Sequence, residues 1–180
     1  MRRKDREVTD PVKIREIITA CDCCRLGLWD KERAYVVPMD FGFAEKDGRY
    51  AFYFHSAKEG RKIDLLRRNG WAALEMDCGH AWVTGPRACD YTARFQCVMG
   101  GGPVTFLETP EEKRAGLNAI LGRMDGKDQW EMGEAALEGV CVFRLAHLTG
   151  RDRWDFDGAV LERTQVFRLE AEELTCKVHE

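Results

Sequence analysis

A mainly β protein of the α+β class, an antiparallel barrel with peripheral helices, is the fold this sequence predicts. Three observations carry the expectation. Short stretches rich in β-branched and aromatic residues, joined by turn signals, outnumber the amphipathic ones. Their order reads helix, about three strands, helix, about three strands, helix, strand. No regular strand–helix alternation appears, which removes the doubly wound folds. The 180 residues are expected to form one domain, 1–180, with no internal repeat, low-complexity segment or linker.

The first helix opens at "TDPVKIREIITA", where Asp10 caps, Pro11 suits the first helical position, and Val12, Ile14, Ile17 and Ile18 form the apolar stripe. "CRLGLWD" and "AYVVPMDFGF" follow as a hairpin across the polar "DKER". Pro38 has no amide donor, so its strand needs an edge or a bulge there. Asp47-Gly48 marks the next turn, before the apolar strand "YAFYFH". A helix over 60–68 turns Ile63, Leu65 and Leu66 inward and stops at Asn69-Gly70. "WAALEMD" and "HAWVTG" read as strands on either side of Cys78-Gly79. "ARFQCVMGGGPVTFLE" reads as a long strand interrupted at Gly100 to Gly102, by a bend or a close approach. Thr109, Pro110 and Glu112 make the clearest helix start in the chain, a capping box. "GVCVFRLAHLTG" is the last clear strand, and "AVLERTQVFRLE" in the tail supplies another.

A net charge of −3 argues against bulk attraction to nucleic acid or anionic lipid. The arm "MRRKDR" interleaves acid with base and is read as solvated or partner-packing. No apolar run approaches the length of a membrane span and no secretory signal follows the basic start, so a cytoplasmic protein is expected. The eight cysteines then read as unpaired thiols. Cys24, Cys78, Cys97, Cys141 and Cys176 stand in or beside apolar stretches, where a thiol acts as a small hydrophobe. Cys21 and Cys24 have a metal-type spacing, but only "CGH" at 78–80 offers a second half, so no metal site is expected.

The stretch with the most chemistry is "YFHSAKEGRKIDLLRRN", 53–69. It sets His55 and Ser56 at a strand end, and Arg61 and Lys62 at a helix start. First-turn amides have no partner inside a helix, and the helix dipole makes that end positive. Acids are favoured there, yet this chain places two cations. A phosphate would resolve the conflict, with Arg61 giving a planar fork and Lys62 a point charge. The alternative is a solvated basic helix start, with Glu59 and Asp64 as partners. The nucleoside-triphosphate loop, the dinucleotide fingerprint, the nucleophile elbow and the metalloprotease helix motif are all absent. His80 and His147 are read as structural.

Four segments resemble one family. "CRLGLW" at 24–29, "YVVPMDFGF" at 35–43, "YFHSAKEGRKIDLL" at 53–66 and "ACDYTARFQCVMGGGPVTFLETPEEKRAGLNAIL" at 88–121 are similar to flavin-binding split-barrel proteins. These are relatives of pyridoxamine 5′-phosphate oxidase, and the resemblance is to the Nim-type nitroimidazole-resistance branch. It spans roughly 1–148 and leaves 151–180 as a C-terminal extension. It implies a split β-barrel homodimer with flavin mononucleotide (FMN) between the subunits. Val37, Pro38, Met39 and Asp40 would then run along the flavin ring, with His55 and Ser56 between ring and phosphate. Arg61 and Lys62 would hold the phosphate, and Gln96 and Val98 match the strand that approaches the flavin. Asp40 and Cys97 depart from the asparagine and serine expected there. The carboxylate would disfavour an anionic reduced flavin.

The resemblance thus implies an FMN-dependent oxidoreductase acting on small molecules, nitroimidazoles among them, with His55 as the catalytic acid or base. Two alternatives stay open. One is a flavin carrier or sensor without turnover; the other is a haem-binding split barrel using His55 or His147. Pyridoxamine 5′-phosphate oxidase activity itself is disfavoured, because the tail lacks that enzyme's Arg-rich ending.

Overall fold

The computed structural model describes residues 3–46, 48–126, 130, 132, 141–144, 164–165, 168–170 and 173–179; of 141–144, 164–165, 168–170 and 173 it gives the backbone alone. His147 and most of the stretches 139–150 and 159–170 lie outside the described residues. A 3-10 turn at Lys4–Arg6 leads into β1 (Glu7–Val8) and α1 (Pro11–Ala20). Next come β2 (Cys24–Asp30), β3 (Arg33–Met39), β4 (Gly42–Lys46) and β5 (Arg49–Ala57), followed by α2 (Arg61–Asn69). The long strands β6 (Trp71–Val83) and β7 (Thr92–Phe106) precede α3 (Pro110–Asp125). The C-terminal strands are β8 (Cys141–Arg144), β9 (Thr164–Gln165), β10 (Arg168–Glu170) and β11 (Glu173–His179).

Every pairing is antiparallel, along the path β10-β5-β8-β7-β6-β2-β3, and the sheet does not close. The expected mainly β architecture with peripheral helices is what forms. Strand β7 joins its two halves, running between β6 and β11 and reaching β8 and β10 at its C-terminal end. The core between sheet and helices includes Ile17, Ile18, Leu26, Phe52, Phe54, Ile63, Leu66, Met76 and Ile120, all essentially inaccessible. Arg123 ties α3 to the end of α1. It donates to the carbonyls of Ile18 (2.9 Å) and Cys21 (2.5 Å), where helix-terminal oxygens need donors, and lies 4.0 Å above the Phe41 ring.

Several local expectations hold. Asp10 accepts from the Val12 amide at 3.0 Å, and the Thr109–Glu112 capping box is present. Pro38 sits on β3, the end strand of the path, where its missing donor costs nothing. Others need correction. Val12 is 65% exposed, so the α1 stripe is Ile14, Ile17 and Ile18. The polar turn after β2 is only Lys31-Glu32, because Asp30 and Arg33 already pair. The two strands around Cys78 are one strand with a register shift between Cys78 and Ala81. The Gly100–Gly102 run does not interrupt β7. Gly101 is needed because the Trp71 ring lies on it, so that a Cβ there would come within 2.4 Å of Cη2. Arg3, Lys4 and Asp5 of the N-terminal arm are exposed, and the chain first pairs just after the arm, Glu7 and Val8 with Lys177 and Cys176.

Candidate functional site

The candidate site forms where β3, the end of β5 and the start of α2 meet. Along β3, Tyr35 and Val37 are half-buried and Met39 is buried, while Val36 and Pro38 are exposed on the opposite face. The first two side chains of α2 reach the inner residues. Lys62 Nζ donates to Met39 Sδ at 3.5 Å, and the Arg61 guanidinium stacks 4.4 Å from the Tyr35 ring centre. Val37 lies between these two contacts in sequence. Asp40 is exposed just past β3.

Strand β5 supplies the other wall. Ser56 is buried and His55 is half-buried. The His55 Nδ1 atom is inaccessible and has no hydrogen-bond partner among the described residues. Burial lowers the His55 pKa; the Asp40 carboxylate opposes that effect and the Lys62 ammonium adds to it. An imidazole kept neutral in this way retains a lone pair that can accept a hydrogen bond or a proton.

The turn into α2 is made by Gly60, whose φ of 124° and ψ of 162° suit glycine alone. No side chain caps the helix, so its first amides face outward beside Arg61 and Lys62. The alternative of a solvated helix start offered Glu59 and Asp64 as local partners of these cations. The partner of Arg61 is instead Asp30 at the end of β2, whose Oδ2 accepts from Nε (3.1 Å) and Nη2 (2.8 Å). Asp30 and Tyr35 are thus the site-lining residues that the sequence reading missed. Neither has a local signal, because both arrive through the β2–β3 hairpin.

Gln96 and Val98 stand apart from this cluster on β7. Val98 is wholly in the core. Gln96 is paired across the sheet with Cys78 and Val178, and lines an open groove of about 410 Å³ with Arg94, Phe95 and His179. His80 is exposed and paired with Asp77 at 2.8 Å, as its structural reading requires. Cys21 and Cys24 are buried, and burial pushes both thiols up, as for small hydrophobes in a core.

The chain is similar to three solved structures over nearly its whole length. A candidate 5-nitroimidazole antibiotic resistance protein from Bacteroides thetaiotaomicron is 29% identical, with a TM-score of 0.67 over 96% of this chain and 86% of that one. A flavocytochrome from Azotobacter vinelandii is 18% identical, with a TM-score of 0.66 over 100% and 72%. The FAD and haem binding protein from Mycobacterium smegmatis is 15% identical, with a TM-score of 0.66 over 97% and 74%. These last two speak for the fold alone. Among curated proteins no match was found. Residues 10–152 match the family model described as pyridoxamine 5′-phosphate oxidase, and with the split-barrel sheet around them they place this chain in that family.

Proposed function

We propose that this protein binds FMN at the β3–β5–α2 junction and works as a homodimeric oxidoreductase on small molecules, nitroaromatic compounds of the nitroimidazole type among them. The observation that carries the reading is the start of α2. Uncapped amides, Arg61 and Lys62 converge there, one strand away from a buried, unpartnered imidazole nitrogen. This donor set fits a phosphate at one end and a hydrogen-bonding heterocycle beside His55. Bound flavin would supply hydride or electron transfer. The chain would supply the phosphate grip of Arg61 and Lys62 and the wall of Val37, Met39 and Asp40; Pro38, on the other face of β3, falls outside it. His55 would accept or hold a proton, with Ser56 beside it.

A second copy is the occupant that best suits the opposite face of β3. Pairing register puts Trp29, Val36, Pro38, Trp71 and Met99 on one side of the sheet. Trp29 and Val36 are 59% exposed, Trp71 47% and Met99 41%. The Arg25–Glu75 pair stands between Pro38 and Met99 on this face, and an exposed apolar surface crossed by one ion pair suits an interface. The cysteines whose side chains are described are free thiols, which suits the reducing cytoplasm. No helix among the described residues is long and apolar enough to cross a membrane.

Ligand released from the purified protein, identified by mass spectrometry, tests the reading, together with light scattering for the dimer. FMN in a dimer is the expected result; a monomer retaining flavin would remove the shared site. A haem Soret band would instead favour the haem reading, with His55 or His147 as the ligand. Stopped-flow reduction by a nicotinamide donor separates enzyme from carrier. His55→Ala is expected to keep the flavin and lose turnover.

A further inference from the structure

The ion pair that engages Arg61 has a second cation attached to it. Asp30 uses Oδ2 for Arg61, while Oδ1 accepts from Arg68 Nη2 at 3.4 Å. Arg61 and Arg68 are two turns apart on one face of α2, so a single carboxylate lies between them. The Nε–Nη2 edge of a guanidinium is the fork that matches a carboxylate or a phosphate. In Arg61 one carboxylate oxygen takes that whole edge, and a phosphate at the helix start would need the same edge.

Releasing Arg61 would not strand Asp30, because Arg68 is already in reach. Nor would Arg68 leave an acceptor bare in turning fully to Asp30. Its present partner, the Trp29 carbonyl, takes 2.8 Å from Arg68 Nη2 and 2.7 Å from Asn69 Nδ2, so one donor remains. Each group in the exchange therefore has a replacement.

We propose that Asp30 is a specificity-determining residue of the phosphate site: it competes with the ligand's phosphate for Arg61, and Arg68 takes it over when the phosphate prevails. The proposal rests on the FMN reading above. The competition lowers affinity for a phosphorylated flavin and leaves an unphosphorylated one unaffected.

FMN and riboflavin titrated by flavin fluorescence into wild type, Asp30→Asn, Arg68→Gln and the double variant test this. Asp30→Asn is expected to tighten FMN about two- to fivefold, the range of a partly exposed ion pair, with riboflavin unchanged. Arg68→Gln is expected to weaken FMN by a similar factor, and that effect is expected to vanish in the Asp30→Asn background. Weaker or unchanged FMN binding by Asp30→Asn overturns the exchange, as does an Arg68→Gln effect equal in both backgrounds. Arg61→Gln separates this failure from the failure of the cofactor reading. If FMN is indifferent to Arg61→Gln, the phosphate assignment is wrong and the exchange falls with it. If Arg61→Gln weakens FMN while Asp30→Asn changes nothing, only the exchange is wrong.

Discussion

Helices α2 and α3 face the same terminal problem and solve it in opposite ways. At α3, Thr109 Oγ1 accepts from the Glu112 amide, the Glu112 carboxylate reaches back to the Thr109 amide, and Pro110 and Glu111 complete an acidic first turn. Every element satisfies the orphan amides and the dipole from within the chain. At α2 the cap is a glycine without a side chain, and the first two residues are cations. One start is closed by its own side chains; the other has no side-chain cap. The cost of that openness is modest, because Ile63, Leu65 and Leu66 are buried and anchor the helix by its apolar face. Packing holds α2, so its start needs no cap to keep the helix in place.

The largest expected effect separates the two starts by ligand. Charge-assisted bonds to phosphate are worth roughly 1.5–3 kcal/mol each. The double variant Arg61→Gln, Lys62→Gln is therefore expected to weaken FMN by at least about a hundredfold and to lose discrimination against riboflavin. Equal FMN affinity in variant and wild type would make α2 a solvated basic start, and the contrast with α3 would lose its functional meaning.

A matched pair of cap substitutions comes next. Gly60→Ala is expected to cost about 1–3 kcal/mol, since its backbone lies where side chains are strained. Nothing stands within 4 Å of the added Cβ, so the cost is conformational and not steric. It should also weaken FMN, because the amides of Arg61 and Lys62 move with that residue. Thr109→Ala is expected to cost about 1 kcal/mol by losing a cap, with FMN affinity unchanged. Thermal melts and flavin titrations on both variants measure the contrast. An FMN effect from Thr109→Ala would sink it.

What the sequence made legible follows the same division between local and distant. Caps, hairpins, the αL stop of α2 and the buried strand β5 are set by neighbours in sequence, and they form as expected. Strand β11 was less visible, although Leu174, Cys176 and Val178 alternate. Its place is set by seven residues of β7 more than seventy positions away. The Arg61–Asp30 pair is invisible for the same reason, its partners standing 31 positions apart. The cations were legible and their counter-ion was not. For the glycine run, the sequence left a bend and a close approach both open, and it could not show that the intruder is Trp71.

His55 gives a smaller, pH-dependent effect. Burial holds its pKa below the ordinary value near 6.5. Between 6.5 and that lower value the unfolded chain binds more protons than the folded one, so stability falls as pH is lowered through this window. His55→Gln is expected to flatten this part of the Tm-versus-pH curve. Curves that stay parallel would show that His55 titrates alike in both states.

The smallest expected effect concerns the protein stripped of flavin, and it tests whether the open start exists for the ligand alone. Removing both cations from α2 relieves an unfavourable interaction with the helix dipole, which by itself favours the variant. Against this stands the pairing of Arg61 with Asp30 and its stacking on Tyr35. That pair is partly solvated, with Arg61 53% and Asp30 21% exposed, so screening leaves it weak. Asp30 also keeps Arg68 when Arg61 is gone. The opposing contributions are of similar size, and the flavin-free double variant is expected to melt within about 2 °C of wild type. Raising the salt concentration should narrow even that gap, since both contributions are electrostatic and near the surface. A loss of stability several times larger, persisting at high salt, would mean that the two cations are structural. Their placement against the dipole would then be explained by folding, with no phosphate required.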